Sequence, residues 1–140
     1  MTELPPAGTA GRVVLDASAL LAWLRDEPGA DIVGPTMAGA AVSAVNWSEV
    51  WQKLAQHGID AARTLRRVQV LGVIVEPFTL DDAATAADFW ERGREAGLSL
   101  GDRCCLALAA RLDLPALTAD AAWTRVDDVE AFGVPIHLIR

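Results

Sequence analysis

The stretch RVVLDASALLAWL, residues 12–24, reads as a short buried strand running straight into a helix, with one acid, Asp16, at the junction. Val13, Val14 and Leu15 form an unbroken apolar run, while Leu20, Leu21 and Leu24 recur at helical spacing. The same unit repeats down the chain. AAVS (40–43) is a second strand, followed by a helix from about Ala44 to His57 that stops at Gly58. Asp60 caps another helix to about Leu71, and VIVEPF (73–78) is a third strand. Thr79 opens a long helix through Trp90 to Ala96, closed by Gly97, and Ser99 begins the helix that carries Asp102 and Ala109. PALTA (115–119) is a fourth strand, Asp120 starts a brief helix, and VPIHLI (134–139) is a fifth strand. Between the first two strands, a shorter segment after Pro28 and Gly29 runs to about Met37.

Strands alternate with helices, and the strands are apolar without alternation. Such strands need cover on both faces, which predicts an α/β fold: one domain with about five parallel strands, right-handed crossovers and helices on both faces. The domain is expected over residues 12–140, after a flexible leader over 1–11 rich in Pro, Gly and Thr.

A chain of 140 residues, 52% hydrophobic with mean hydropathy +0.26, is long enough and apolar enough to bury one sizeable core. Its longest apolar run is broken by Asp16 and Ser18 and is too short to span a bilayer, and the first residues have neither a basic nor an apolar export signal. A cytoplasmic protein with no membrane attachment is expected. Cys104 and Cys105 are adjacent in a helical pattern and read as small buried hydrophobes in a reducing compartment. A net charge of −7, from 12 basic and 19 acidic residues, is opposite to the usual footprint of a nucleic-acid binder, unless part of the negative charge is gathered to hold a metal.

Four acids fall where the chain leaves a strand or opens a helix: Asp16, Glu49, Asp102 and Asp120. In an open α/β sheet, ligands collect beyond the carboxyl ends of the strands, where Asp16 and Asp120 should lie. Brought together, the four would form a hard oxygen pocket for Mg²⁺ or Mn²⁺. Each also has a local explanation. Asp16 and Asp120 suit helix caps, and Ser99 with Asp102 fits a capping box, as do Thr79 and Asp82, where no function is assigned. Glu49 precedes Lys53, the only lysine, by four residues and suits an exposed ion pair. Trp47, Val50, Trp51 and Leu54 read as one apolar stripe, which places Glu49 nearly opposite. His57 and His137, the only histidines, are not arranged as an acid and base pair; His57 suits a helix C-terminus and His137 a structural place.

In order along the chain, the DAS after strand one, the glutamate in the helix after strand two, the aspartate before CLALAARLDLP and the LTAD of strand four resemble the PIN domain. The resemblance is closest to the VapC-like toxin ribonucleases of toxin–antitoxin pairs, and it spans Arg12 to Arg140. It implies a metal-dependent endoribonuclease with Asp16, Glu49, Asp102 and Asp120 as the acidic site, supported by Ser18, Asn46 and Thr118. It also implies an antitoxin partner and a homodimer. Where the family often carries a further Asp or Asn after the fourth acid, this chain has Ala121 and Ala122, leaving Asp127 or Asp128 as the nearest acids.

Phosphodiester hydrolysis needs a nucleophile at neutral pH and charge relief on the phosphate oxygens, which a divalent ion supplies. Asp16 and Asp102 are expected to hold that ion most directly, with Glu49 and Asp120 acting through waters or orienting the nucleophile. Arg63, Arg66 and Arg67, Arg92 and Arg94, and Arg103 are the candidate phosphate contacts. Trp23, Trp47 and Trp51 suit the core or a partner surface. The alternatives are a non-catalytic α/β interaction domain and a receiver-like Mg²⁺-binding signalling domain; the second would need an acidic pair near Asp16 and a lysine after the last strands, and this chain has neither.

Overall fold

The computed structural model describes residues 11–127 and 131–140, so nearly all of the predicted leader lies outside the described residues. Five strands are present: β1 (Val14–Leu15), β2 (Ala41–Ser43), β3 (Ile74–Glu76), β4 (Ala116–Thr118) and β5 (Ile136–Leu138). They pair in parallel in the order β3-β2-β1-β4-β5. The helices that lie wholly within the described residues are α1 (Ala17–Leu24), α2 (Ala30–Val33), α3 (Ala44–Gln56), α4 (Ala61–Val70), α5 (Leu80–Gly93) and α6 (Leu100–Leu112). Short 3-10 turns cover Gly34–Thr36, Arg94–Ala96 and Ala121–Arg125. The predicted α/β sheet, its strand count and its parallel pairing are therefore observed.

Alternate strand residues feed two cores. Val13, Leu15, Ala40, Val42 and Leu117 pack with α1 to α4 on one face. Val14, Ala41, Ala116 and Ile136 face the other side, against α6, Phe89 of α5, Trp123 and Phe132. The small side chains Ala41 and Ala116 let α6 lie close on the sheet. Six successive residues of α6, Cys104 to Ala109, are buried, which requires a helix apolar all round. Both cysteines are free and buried within it.

Local chemistry sets the ends of the elements. Ser43, Asp60, Thr79 and Ser99 cap α3, α4, α5 and α6, the last two as complete capping boxes closed by Asp82 and Asp102. The long helix predicted to Ala96 ends at Gly93 and tightens into a 3-10 turn before Gly97, whose φ of 72° stops it. On α3 the buried stripe is Asn46, Val50 and Leu54, rather than the predicted set with both tryptophans. Trp47 is half-buried and Trp51 is 45% exposed, because the neighbouring helices cover α3 further round than the apolar pattern implied. His137 is buried in β5, and His57 caps the end of α3 beside the Lys53 carbonyl, 2.8 Å away. Among the described residues no helix is long and apolar enough to cross a membrane.

Chain order reverses between β1 and β4. From β1 the chain steps outward through β2 to β3, then returns across the sheet to β4 and β5 on the other side. A crevice opens at such a switch point beyond the strand ends, and Asp16 and Asp120 follow the two strands that border it.

Candidate metal centre

Asp16 stands immediately after β1, only 4% exposed. Its side chain makes no cap bond to α1. Instead Ser18 Oγ donates to Asp16 Oδ2 at 2.7 Å, and Thr118 Oγ1 donates to the same oxygen at 3.1 Å. Each hydroxyl has one proton, so the 3.2 Å approach of Ser18 to Thr118 is a close contact with no proton left to share. The hydroxyls also accept from the backbone: Ser18 Oγ from the Ala119 N–H at 2.9 Å and Thr118 Oγ1 from the Asp120 N–H at 3.1 Å. Ser18 and Thr118 thus tie the end of β1 to the end of β4. Their expected support of the acidic site takes this form.

The other three acids spend one oxygen on local structure. Asp102 Oδ2 accepts from the Ser99 N–H at 2.8 Å, and Asp120 Oδ1 accepts from the Ala122 N–H at 2.9 Å. Glu49 Oε1 accepts from Asn46 Nδ2 at 2.8 Å. No ion pair joins Glu49 to Lys53, because the glutamate turns towards α6. Each of the four carboxylates keeps its second oxygen without a hydrogen bond among the described residues.

Electrostatics links the four. Burial raises the Asp16 carboxyl from its ordinary 3.8 to about 7; the bonds from Ser18 and Thr118 oppose this, while the charges of Asp102 and Glu49 add to it. Burial also raises Asp102, with Asp120 pushing the same way and the Ser99 backbone and hydroxyl opposing. The nearby Trp123 indole, whose buried N–H makes no hydrogen bond of ordinary geometry, favours the charged form of Asp102 weakly. Beneath the cluster, Cys105 is raised well above its ordinary value, mainly by burial and then by Asp16, Asp102 and Glu49. These acids therefore share one field.

That field is made by carboxylates, with no cation paired to them among the described residues. Arg103 stands next to Asp102 in sequence, but its Nη1 donates to the Ala86 carbonyl at 2.7 Å. Among the described residues no three acidic, histidine or cysteine side chains close on a single point as a ready cage. A small hard ion that takes one or two direct carboxylates and keeps its waters needs no such cage, and an all-oxygen donor set with one open oxygen on each acid suits Mg²⁺ or Mn²⁺.

Of the candidate phosphate contacts, Arg92 pairs with Asp88 at 3.4 Å and reaches the Ala131 carbonyl, while Arg94 lies over the Trp90 ring at 5.4 Å. Arg63, Arg66 and Arg67 stand exposed on α4 and pair with no acid among the described residues. Asp127 is exposed beyond the last 3-10 turn, and Asp128 lies outside the described residues. One residue of the site escaped the sequence reading. Gly101 lies against the Glu49 carboxylate, and the available signal was a glycine in the first turn of a helix, where alanine is favoured by about 1 kcal/mol.

Sheet order, switch point and acids together define an α/β domain with an acidic crevice between β1 and β4. The family model for the PIN domain matches residues 13–129, and the chain belongs to that family. No match is found among curated protein sequences. Solved structures of similar fold include a toxin–antitoxin complex from Klebsiella pneumoniae, 18% identical, covering 91% of this chain and 98% of that one with a TM-score of 0.70. DNA-bound VapBC from Salmonella typhimurium is 13% identical, covering 94% and 100% with a TM-score of 0.67. FitAcB from Neisseria gonorrhoeae is 18% identical, covering 89% and 95% with a TM-score of 0.63.

Proposed function

We propose that the chain is a Mg²⁺- or Mn²⁺-dependent endoribonuclease and the toxin of a toxin–antitoxin pair. The observation that carries this reading is Asp16. A buried aspartate whose side chain caps no helix, gathers two hydroxyls on one oxygen and lies in the field of two further acids is a costly way to join two strand ends. A cation in the crevice relieves its burial, and family membership supplies the chemistry such sites perform. The same observation disfavours a non-catalytic domain, for which all four acids would serve as caps or surface charges.

Asp16 and Asp102 would hold the ion most directly, and Glu49 and Asp120 would act through waters. When bound, the ion lowers the pKa of water and relieves charge on the phosphate oxygens. Ser18 and Thr118 fix the rotamer of Asp16, Ser99 fixes that of Asp102, and the Ala122 N–H fixes Asp120. Glu49, exposed on α3 beside the opening of α6, would meet solvent and orient the attacking water. Arg63, Arg66 and Arg67 offer phosphate contacts on a protein whose net charge is −7.

The similar solved structures that are toxin–antitoxin complexes support an antitoxin partner, which would cover the crevice and set a basic side chain among the acids. A homodimer and a cytoplasmic setting follow from the same reading. The deciding experiment is cleavage of RNA, with the new ends mapped by sequencing. Cleavage should require Mg²⁺ or Mn²⁺ and fall at least a hundredfold in Asp102→Asn; cleavage that survives both chelator and the variant would refute the mechanism.

A further inference from the structure

Glu49 is the acid whose placement is least explained by its own helix. A long carboxylate side chain on an exposed helix flank loses up to about 2 kcal/mol of rotamer entropy when fixed, so something must hold it. Two residues do. Asn46 is fully buried, and its Nδ2 donates both protons, one to Glu49 Oε1 at 2.8 Å and one to the Gly101 carbonyl at 3.0 Å. The amide therefore spans from α3 to the first turn of α6, one residue before Asp102. Gly101 provides the space: a Cβ there would stand 2.5 Å from Glu49 Oε1 and 2.8 Å from its Cδ.

Both residues act against local stability. Asn46 occupies the buried stripe with Val50 and Leu54, where an apolar side chain would pack without penalty, and its Oδ1 is buried with no partner. An orphaned buried acceptor costs about 1–3 kcal/mol. Gly101 gives up helix propensity where no positive φ or turn requires it. Two local sacrifices that converge on one carboxylate point to function.

We infer that Asn46 and Gly101 are a positioning pair that holds the Glu49 carboxylate against the opening of α6, setting it relative to Asp102 rather than to its own helix. The pairing demands an amide. Aspartate at 46 would repel Glu49, a hydroxyl has one proton for two acceptors, and glutamine is one methylene too long. This inference rests on the metal-site reading above.

Mn²⁺ affinity by calorimetry, with metal-free melting in parallel, tests it on wild type, Glu49→Gln, Asn46→Leu, Gly101→Ala and the two double variants with Glu49→Gln. Each single change should weaken Mn²⁺ binding by about tenfold, in the range seen when groups that orient metal ligands are removed. The double variants should bind no more weakly than Glu49→Gln alone, because the pair acts only through that carboxylate. Metal-free Asn46→Leu should melt no lower than wild type, since an apolar side chain replaces one whose buried Oδ1 has no partner; a merely structural asparagine would give the reverse, a lower melt with unchanged affinity. Wild-type affinity in Asn46→Leu, Gly101→Ala or Glu49→Gln, or losses that add in the double variants, overturns the pair while the metal site stands. If wild type itself binds no Mn²⁺, the metal-site reading falls and this inference falls with it.

Discussion

Asp16 sets burial against charge within a single side chain. Its carboxyl is raised to about 7 in the folded protein, above the ordinary 3.8 of an unfolded chain. Between those values the folded state keeps a proton that the unfolded state has lost, so the contribution of Asp16 to metal-free stability is fully present below about pH 4, declines as pH rises and is lost by about pH 7. Asp16→Asn removes the titration while preserving an acceptor for Ser18 and Thr118. Metal-free melts should therefore show the variant more stable than wild type at pH 8, by roughly 1–3 kcal/mol, with the gap closing at pH 4; a constant gap across that range would contradict the assignment.

Two helices open with the same device and put it to different ends. Thr79 with Asp82 and Ser99 with Asp102 are both complete capping boxes, each aspartate accepting from its cap residue's N–H through Oδ2. The remaining oxygen distinguishes them. Asp82, with its side chain 3% exposed, accepts through Oδ1 from Arg111 Nε of α6 at 2.9 Å, and Arg111 Nη2 also donates to the Pro77 carbonyl at 3.1 Å. One box thereby fastens α5 to α6, while the other leaves an oxygen open at the crevice. Arg111→Leu strands a buried carboxylate and should cost about 2–3 kcal/mol in urea denaturation, with part of the pair already screened by the arginine's 32% exposure. Adding Asp82→Asn should recover most of that loss. Asp102→Asn should by contrast leave metal-free stability within about 1 kcal/mol, because the amide oxygen still accepts the Ser99 N–H.

Parallel order β3-β2-β1-β4-β5 makes the molecule one body around a single crevice, and its closure depends on contacts between distant parts of the chain. Gly29 adopts φ +98°, and a Cβ there would stand 2.7 Å from both the side chain and the carbonyl of Ile139, just past β5. Arg140 completes the same seam, donating to the Pro28 carbonyl at 3.2 Å and to Glu27 at 3.4 Å. Gly29→Ala therefore meets backbone strain and a clash together, and thermal melts should show a loss of about 2 kcal/mol or more. The metal site makes a second prediction about the whole fold. An ion that binds only the folded state at a hundred times its Kd adds about 2.7 kcal/mol, so Mn²⁺ should raise the Tm by roughly 5–10 °C. Chelator should reverse the rise, and the Asp16→Asn, Asp102→Asn double variant should lack it.

Element order, the caps at Asp60, Thr79 and Ser99, and the two-sided cover of the strands could be read from residues alone. These signals act within a turn or two of backbone, and the ordered acids carried the family resemblance. Other features depended on how the chain packs. The apolar spacing of α3 placed Trp51 inside and Glu49 opposite; the packed helix exposes Trp51, buries Asn46 and brings Glu49 against Gly101, 52 positions away. Asp16 looked like one more cap until Thr118, 102 positions along, took up its carboxylate. Capping, periodicity and propensity are local and written in order along the chain. Burial, shared charge and the room for one carboxylate arise between segments that meet only when the sheet has formed.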